Sequence, residues 1–451
     1  MQLNVKNYKL KLIQPSQLVN GKIRKFEKSF VPSRTLPYIA ALTPSDFSVS
    51  IIDETLEDIN FDEPVDLVGI TSLITQLPRA LQIAEEYKKK GAKVILGGPA
   101  PSYLIEEVLP HVDSVVVGES ENIWWKVLDD FKKGELEKIY FPNGTPSLEK
   151  LPTPCFNLLP LDKYLKPGFL FKTSKWPRIP IETARGCFHD CDFCCVSNYF
   201  GKKMRFRPIA EVVEEIQKFK GAFIVFTDDN IAAQPERAKE LFKALISLKI
   251  HWFGQFSSLA AMDEELVTLA GKSGCIFAFL GIESSSKESL LSVRKNFNRI
   301  ENYSKIFKIY SDAGIQPNPS MIFGFDGDTK ELMDETIDFL TKEKIPLMVQ
   351  WILTPVPGTK LFERFLEEGR ILHKDYSKYD GTNVVFKPKN MEPNELEEKF
   401  WEVFQKFYRI SNIAYRLFYR LNKLTIFLLK RNLFFQNMVN RRIHPYSGGL
   451  E

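Results

Sequence analysis

Short apolar segments alternate with amphipathic helical segments along most of this chain, in one run of five strands and, after a proline-rich interval, in a second run of six. Neighbouring parallel strands need a long crossover, usually a helix, so this alternation argues for parallel sheets that hold ligands at the carboxyl ends of their strands. In the first run, strands are expected at Tyr8–Ile13, Val49–Ile52, Leu67–Ile70, Lys93–Leu96 and Ser114–Val117. Helical periodicity covers Leu77–Lys90 and Asn122–Lys132. The expected fold class is α/β, with a doubly wound, Rossmann-like domain over 1–140. Residues 141–178, with FPNGTPSLEKLPTPCFNLLPLDKYLKP and KWPRIP, read as a linker. The second run places strands at Ile179–Thr183, Phe223–Thr227, His251–Phe256, Ile276–Ile282, Pro319–Phe325 and Leu347–Leu353. Helices follow, among them Ile209–Phe219, Pro235–Leu248, Glu264–Leu269, Ile300–Ala313 and Lys330–Lys342. Six such pairs predict a partial (β/α)6 TIM-like barrel over 179–372, with function at the strand ends. A helical, basic region takes up 373–451.

The 451 residues suffice for two or three domains, and 61 basic against 57 acidic residues leave +4, too little to indicate a nucleic-acid partner. Six cysteines, three of them in one motif, argue for a reducing compartment rather than a disulfide scaffold. The opening MQLNVKNYKLKLIQPS has neither the apolar core nor the cleavage site of a secretory signal. No apolar run approaches the ~20 residues of a spanning helix.

The chemistry concentrates in ETARGCFHDCDFCCVSNYF, Glu182 to Phe200, where Cys187, Cys191 and Cys194 form a C-x3-C-x2-C run. Structural zinc sites draw four ligands from two separated pairs, and no second pair exists. Cys155 and Cys275 are isolated in apolar surroundings, and Cys195, beside Cys194, would point elsewhere. Three thiolates with one position left open suit an iron-sulfur cluster, with zinc or an unligated loop as the alternative. Here the sequence resembles the radical S-adenosylmethionine (radical SAM) superfamily, flanks included: a short strand precedes the loop, and FGKKMRFRP and a helix follow it. The resemblance implies a 4Fe-4S cluster on Cys187, Cys191 and Cys194, whose open iron takes S-adenosylmethionine, with Phe193 near the adenine.

Three segments stand at strand ends in the first domain: GITSLIT (Gly69 to Thr75), LGGPAPS (Leu96 to Ser102) and VVGESE (Val116 to Glu121). Gly97 and Gly98 would admit a bulky ligand close to the backbone, or would simply turn the chain. Together the segments resemble the cobalamin-binding domain often found ahead of radical SAM domains. On that resemblance Thr71, Ser72, Gly97 and Gly98 cradle the nucleotide tail. The loop QPSQLVNG departs from the D-x-H-x-x-G of domains that ligate cobalt through histidine, so bound cobalamin is expected to lack a protein histidine on cobalt; His111 lies on the far side of the expected sheet.

In the barrel, the strand ends carry TDDN (Thr227 to Asn230), GIESS (Gly281 to Ser285), FGFDGDT (Phe323 to Thr329) and TPVPGT (Thr354 to Thr359). Singly these suit helix caps or turns. Together they resemble the cofactor-binding ends of the radical SAM barrel, which implies Glu283 in polar contact with S-adenosylmethionine and Asp228 and Asp229 near its amino group or ribose. TDDN replaces the family's glycine-glycine-glutamate.

Between Glu402 and Glu451 no acidic residue occurs, while Lys406, Arg409, Arg416, Arg420, Lys423, Lys430, Arg431, Arg441 and Arg442 alternate with Phe, Tyr, Ile and Leu. Two readings stand side by side: an interfacial helix on an anionic membrane, or a helix covering the open side of the barrel. The resemblance, from about Tyr8 to Arg420, is to cobalamin-binding radical SAM proteins, including anaerobic enzymes that methylate hopanoids or pigments. It implies cleavage of S-adenosylmethionine to a 5'-deoxyadenosyl radical and cobalamin-dependent C-methylation of an unactivated carbon, here expected in an apolar, lipid-like substrate. A non-methylating radical SAM cyclase or rearranging enzyme is the alternative. A flavodoxin or ferredoxin as electron donor, a cytoplasmic location and peripheral contact at the inner membrane face complete the expectation.

Overall fold

The structure, a computed structural model, describes residues 7–166, 175–418, 423–446 and 449–450. Arg420 and the centre of the proline-rich interval, 167–174, lie outside the described residues. The chain forms two compact units: one takes in residues 1–165, 375–379 and 448–451, the other 166–374 and 380–447.

The first unit is built on β1 (Tyr8–Gln14), β2 (Phe47–Asp53), β3 (Leu67–Thr71), β4 (Lys93–Gly97), β5 (Ser114–Val116) and β6 (Ile139–Tyr140), with α1 (Thr35–Leu42), α2 (Leu77–Lys89) and α3 (Trp124–Lys133) between strands. The strands form one parallel sheet in the order β2-β1-β3-β4-β5-β6, which reverses direction at β1 and β3. This is the expected doubly wound sheet, extended by the short β6. Leu12, Ile13, Leu67, Val68, Val94 and Leu96 are buried, as near-continuous apolar runs in a parallel sheet require. The described end of the proline-rich interval packs into this unit: Tyr164 is buried and its hydroxyl donates to Asp53 Oδ2 at 2.7 Å.

The second unit has β7 (Arg178–Ile181), β8 (Phe223–Phe226), β9 (His251–Ser257), β10 (Cys275–Glu283), β11 (Gln316–Phe323) and β12 (Val349–Ile352), parallel and in sequential order. The connecting helices are α4 (Ile209–Lys218), α5 (Pro235–Ile246), α6 (Glu264–Lys272), α7 (Tyr303–Asp312) and α8 (Lys330–Lys342). This is the curled half-barrel expected from the six strand-helix pairs. The strand that departs furthest from expectation is β11. It starts at Gln316 rather than Pro319 and ends at Phe323 rather than Phe325. Pro317 and Pro319, which lack an N–H, hide the start, and Gly324, at φ +105°, begins a turn in which the N–H groups of Gly324 and Phe325 donate to Asp328.

After β12 come α9 (Lys360–Glu367), α10 (Pro393–Phe407), α11 (Ile410–Leu417) and α12 (Lys423–Asn440). Arg416 on α11 is fully buried. Its guanidinium donates to the carbonyls of Ile345, Pro346 and Phe407 and to Asn432 Oδ1, and lies 3.7 Å from the Phe407 ring. The segment after α12 returns to the sheet. His444 stacks on Trp351 of β12 with ring centroids 4.1 Å apart, and its Nε2 donates to the Gln350 carbonyl at 2.7 Å.

Candidate active site

The cysteine loop follows β7 directly. Gly186, at φ +90°, admits no side chain, because a Cβ there would lie 2.8 Å from the Lys203 carbonyl oxygen. Beyond it the loop is held from several sides: the N–H of Asp192 donates to the Val293 carbonyl, the N–H of Leu361 to the Asp192 carbonyl, and Asp190 pairs with Lys202 and Lys360. Cys191 is buried and Cys187, Cys194 and Cys195 are half-buried. Burial pushes the Cys187 thiol above its ordinary value, the Cys191 thiol up to about 11 and the Cys194 thiol up to about 12. Thiols so desolvated become thiolates only beside compensating positive charge, which bound iron would supply. Among the described residues no three His, Cys, Asp or Glu side chains gather around a single ion position. Three thiols carried on one short loop, buried or half-buried, make a donor set that a cluster fits.

The other predicted residues of this unit lie at the carboxyl ends of its strands. Phe193 has its ring centroid 6.1 Å from that of Phe325, in the loop after β11. Asp228 is buried and accepts from the Thr183 N–H and hydroxyl, at 3.1 and 2.8 Å. Burial, with Glu182 adding to it, pushes its carboxyl up to about 7. Asp229 is half-buried, with its carboxyl pushed up to about 6 by burial and by Glu182. Glu283 ends β10 at φ +66°, just past a slip in register between Gly281 and itself. Tyr303 and Asn298 lock this strand end by donating to the carbonyls of Ile282, Ser284 and Gly281.

Sequence reasoning missed Lys295. Its ammonium is 2.7 Å from Glu283 Oε1 and 5.6 Å from the centroids of both Phe193 and Phe297. Burial works against the charge, yet Glu283 and the Cys191 and Cys194 thiols lift its pKa above the ordinary value. The fold thus joins one cation, one carboxylate and the aromatic of the cysteine loop. Nothing in LLSVRKNFNRI marks this lysine out from its neighbours.

In the first unit Thr71, Ser72, Gly97 and Gly98 meet at the carboxyl edge of β3 and β4, beside the point where strand order reverses. The Ser72 N–H donates to the Gly97 carbonyl at 3.0 Å. Gly98 has φ +99°, and a Cβ there would come within 2.9 Å of Thr71 Oγ1 and 3.0 Å of the Ser72 backbone. A Cβ on Gly97 would meet nothing closer than the Val116 carbonyl oxygen at 3.6 Å. Leu73, next in the chain, is 54% exposed. A small-residue edge with an exposed apolar side chain suits a large, flat cofactor. His111 precedes β5, at the amino edge of the sheet, with Nδ1 2.7 Å from Glu85 Oε1.

Family models match in the same order: the B12 binding domain over residues 28–125, the radical SAM superfamily over 181–340 and a domain of unknown function (DUF4070) over 359–437. Bacteriochlorophyllide d C-8(2)-methyltransferase of Chlorobaculum tepidum is 30% identical, over 91% of this chain and 94% of that protein. The C-12(1)-methyltransferase of the same organism is also 30% identical, over 84% of this chain and 83% of that protein. Among solved structures, the cobalamin-dependent S-adenosylmethionine radical enzyme OxsB, with aqua-cobalamin and S-adenosylmethionine bound, superposes with a TM-score of 0.65 at 15% identity, covering 97% of this chain and 72% of that one. The chain belongs to the cobalamin-dependent radical SAM methyltransferase family. It is an enzyme whose cofactors are a 4Fe-4S cluster, S-adenosylmethionine and cobalamin.

Proposed function

We propose that this enzyme methylates an unactivated carbon of an apolar substrate. The single observation behind the apolar reading is the inner face of the half-barrel, where Phe253, Phe277, Phe279, Ile322 and Trp351 stand on adjacent strands. The names of the two methyltransferase relatives, both for a bacteriochlorophyllide, support it. When bound, the three cofactors supply radical formation and the methyl group; the protein orients them and excludes water.

On this reading Cys187, Cys191 and Cys194 hold the cluster while Cys195 does not. Phe193, Asp228, Asp229 and Glu283 bind S-adenosylmethionine, and Lys295 fixes the Glu283 carboxylate in the barrel mouth. Thr71, Ser72, Gly97 and Gly98 receive cobalamin, without a histidine on cobalt. A flavodoxin or ferredoxin supplies the electron.

The test is anaerobic reconstitution with methyl-labelled S-adenosylmethionine and an apolar extract of the host, followed by mass spectrometry. A labelled methyl group is expected on an extractable product with the intact protein. With Cys187→Ala, Cys191→Ala or Cys194→Ala both label transfer and iron should be lost, and with Cys195→Ala both should remain. Label appearing only in the water-soluble fraction would remove the apolar reading.

A second reading, peripheral contact with an anionic membrane, is favoured by the outer surface of the C-terminal helices. Ile410, Tyr415, Phe418, Ile426 and Leu433 are exposed there, with exposed Arg409, Lys430 and Arg441 in the same stretch.

A further inference from the structure

The barrel strands sort their side chains by parity. Trp252 and Phe256 of β9, Ala278, Leu280 and Ile282 of β10 and Met321 of β11 are buried on the helix side, where Trp252 packs on Phe242 of α5 and Phe256 on Tyr310 of α7. The alternate residues therefore line the inner face. Strand register sets Gln255 beside Phe279 and Phe279 beside Asn318, so these three side chains stand at one level across three strands. Ser257, Gly281 and Ser320 form the next level towards the carboxyl ends, and Phe253, Phe277 and Gln316 the level below.

Two amides on this middle level are incompletely used. Gln255 is exposed although it lies mid-strand between buried Gly254 and Phe256, so open space lies in front of it. Its side chain makes no hydrogen bond among the described residues. Asn318 is only 2% exposed; its Nδ2 donates to the Tyr446 hydroxyl at 2.9 Å, while its Oδ1 is buried without a partner. Turning the amide over exchanges the two ends and still leaves one unsatisfied. Between them the Phe279 ring is held edge-on by Tyr446, with centroids 5.9 Å apart. The one arginine or lysine among the strand residues of this face is Arg178, level with Phe223 and His251. That level is four residues before Gln255, about 13 Å lower at ~3.3 Å per residue.

We propose that the Gln255–Phe279–Asn318 layer is a substrate-recognition site that takes a flat apolar body against Phe279 and a neutral donor-and-acceptor group, such as a carboxamide, between the two amides. A buried amide end without a partner is costly until a ligand satisfies it, so the layer favours molecules that carry this group over those that lack it. None of the strand residues at its level is a cation, and Arg431 of α12, which acts on Tyr446 from the covering segment, lies over the Phe435 ring at 5.2 Å, so a carboxylate between Gln255 and Asn318 would give up its hydration without a strand-borne counter-charge. The proposal deepens the apolar-substrate reading and rests on it.

The test uses the full-length protein and three probes with one ring system, 2-naphthamide, 2-naphthoate and naphthalene, with binding followed by probe fluorescence. 2-Naphthamide is expected to bind at least tenfold more tightly than the other two. Gln255→Leu should reduce its affinity to the level of naphthalene and leave naphthalene binding unchanged. This variant is decisive because the Gln255 side chain is exposed and makes no bond that the fold needs. Asn318→Leu should act in the same direction. Equal or tighter binding of 2-naphthoate, or an undiminished amide preference in Gln255→Leu, overturns the proposal. Binding of naphthalene without amide preference removes the layer and keeps the apolar reading; failure of all three probes to bind removes both.

Discussion

Asp228 illustrates how one side chain at a strand end couples the site to the fold. Its carboxyl, pushed up to about 7 by burial, is protonated in the folded protein over a range in which an unfolded aspartic acid, near 3.8, has already ionised. Between those values the native state binds more protons than the unfolded state, so this group's contribution to stability is present at low pH and is lost as pH rises from about 4 to about 7. Asp228→Asn keeps an acceptor for the Thr183 N–H and hydroxyl and removes the titration. Its stability, from denaturant unfolding of the barrel unit at a series of pH values, should fall less steeply over that window, with a difference of ~3 kcal/mol accumulated by pH 7. Parallel curves for the two proteins would show that Thr183 and Arg237, whose guanidinium donates to the Thr183 carbonyl and favours the charged form of Asp228, hold the carboxylate ionised.

At the scale of elements, α11 is pinned by a single residue. Arg416 donates to three buried carbonyls and Asn432, so Arg416→Ala takes this donor from the Ile345 and Phe407 carbonyls and from Asn432 Oδ1, leaves the Pro346 carbonyl to Asn432 Nδ2 alone, and opens a void against Phe407. A loss of about 3 kcal/mol is expected, read as a shift in the denaturant midpoint of the barrel unit, and Arg416→Lys should recover only part of it because one ammonium cannot span the same acceptors. The strand-helix beat was legible in the sequence because each strand is a short apolar run between turn residues, and β7 to β10 begin or end within a few residues of expectation. β11 was legible only in its second half, since prolines count against a strand. Arg416 was not legible at all: one arginine among nine basic residues reads as a solvated charge, and only the folding of α10, α11 and α12 around it reveals a buried one. The same holds for Lys295 and for the Gln255–Phe279–Asn318 layer, whose members meet through register and three-dimensional packing rather than through spacing in the chain. The cysteine loop and the Gly97-Gly98 turn were visible because a thiol triplet and a glycine pair are rare enough to stand out locally.

At the scale of the whole molecule, the C-terminal helices have two faces with different tasks. Phe404, Phe407, Phe435 and Val439 are buried, so removing the segment would dismantle the barrel unit rather than test its outer surface. Point substitutions separate the two. Replacing Ile410, Phe418, Ile426 and Leu433 together by Ser should leave the fold intact and reduce co-sedimentation with anionic vesicles at least tenfold, with little change for neutral vesicles; equal sedimentation of both proteins would remove the membrane reading. No described helix is long and apolar enough to cross a membrane.

The seating of His444 and Tyr446 against β10, β11 and β12 also has a temporal side. His444 bonds to a carbonyl 94 residues earlier in the chain, and at a synthesis rate of about 5–20 residues per second the ribosome needs roughly 5–20 s to supply that partner. Throughout that interval the aromatic rings of the inner face can already be assembled with one end uncovered. Until then those rings form a sticky, open trough, and the arrival of His444 and Tyr446 is what covers them.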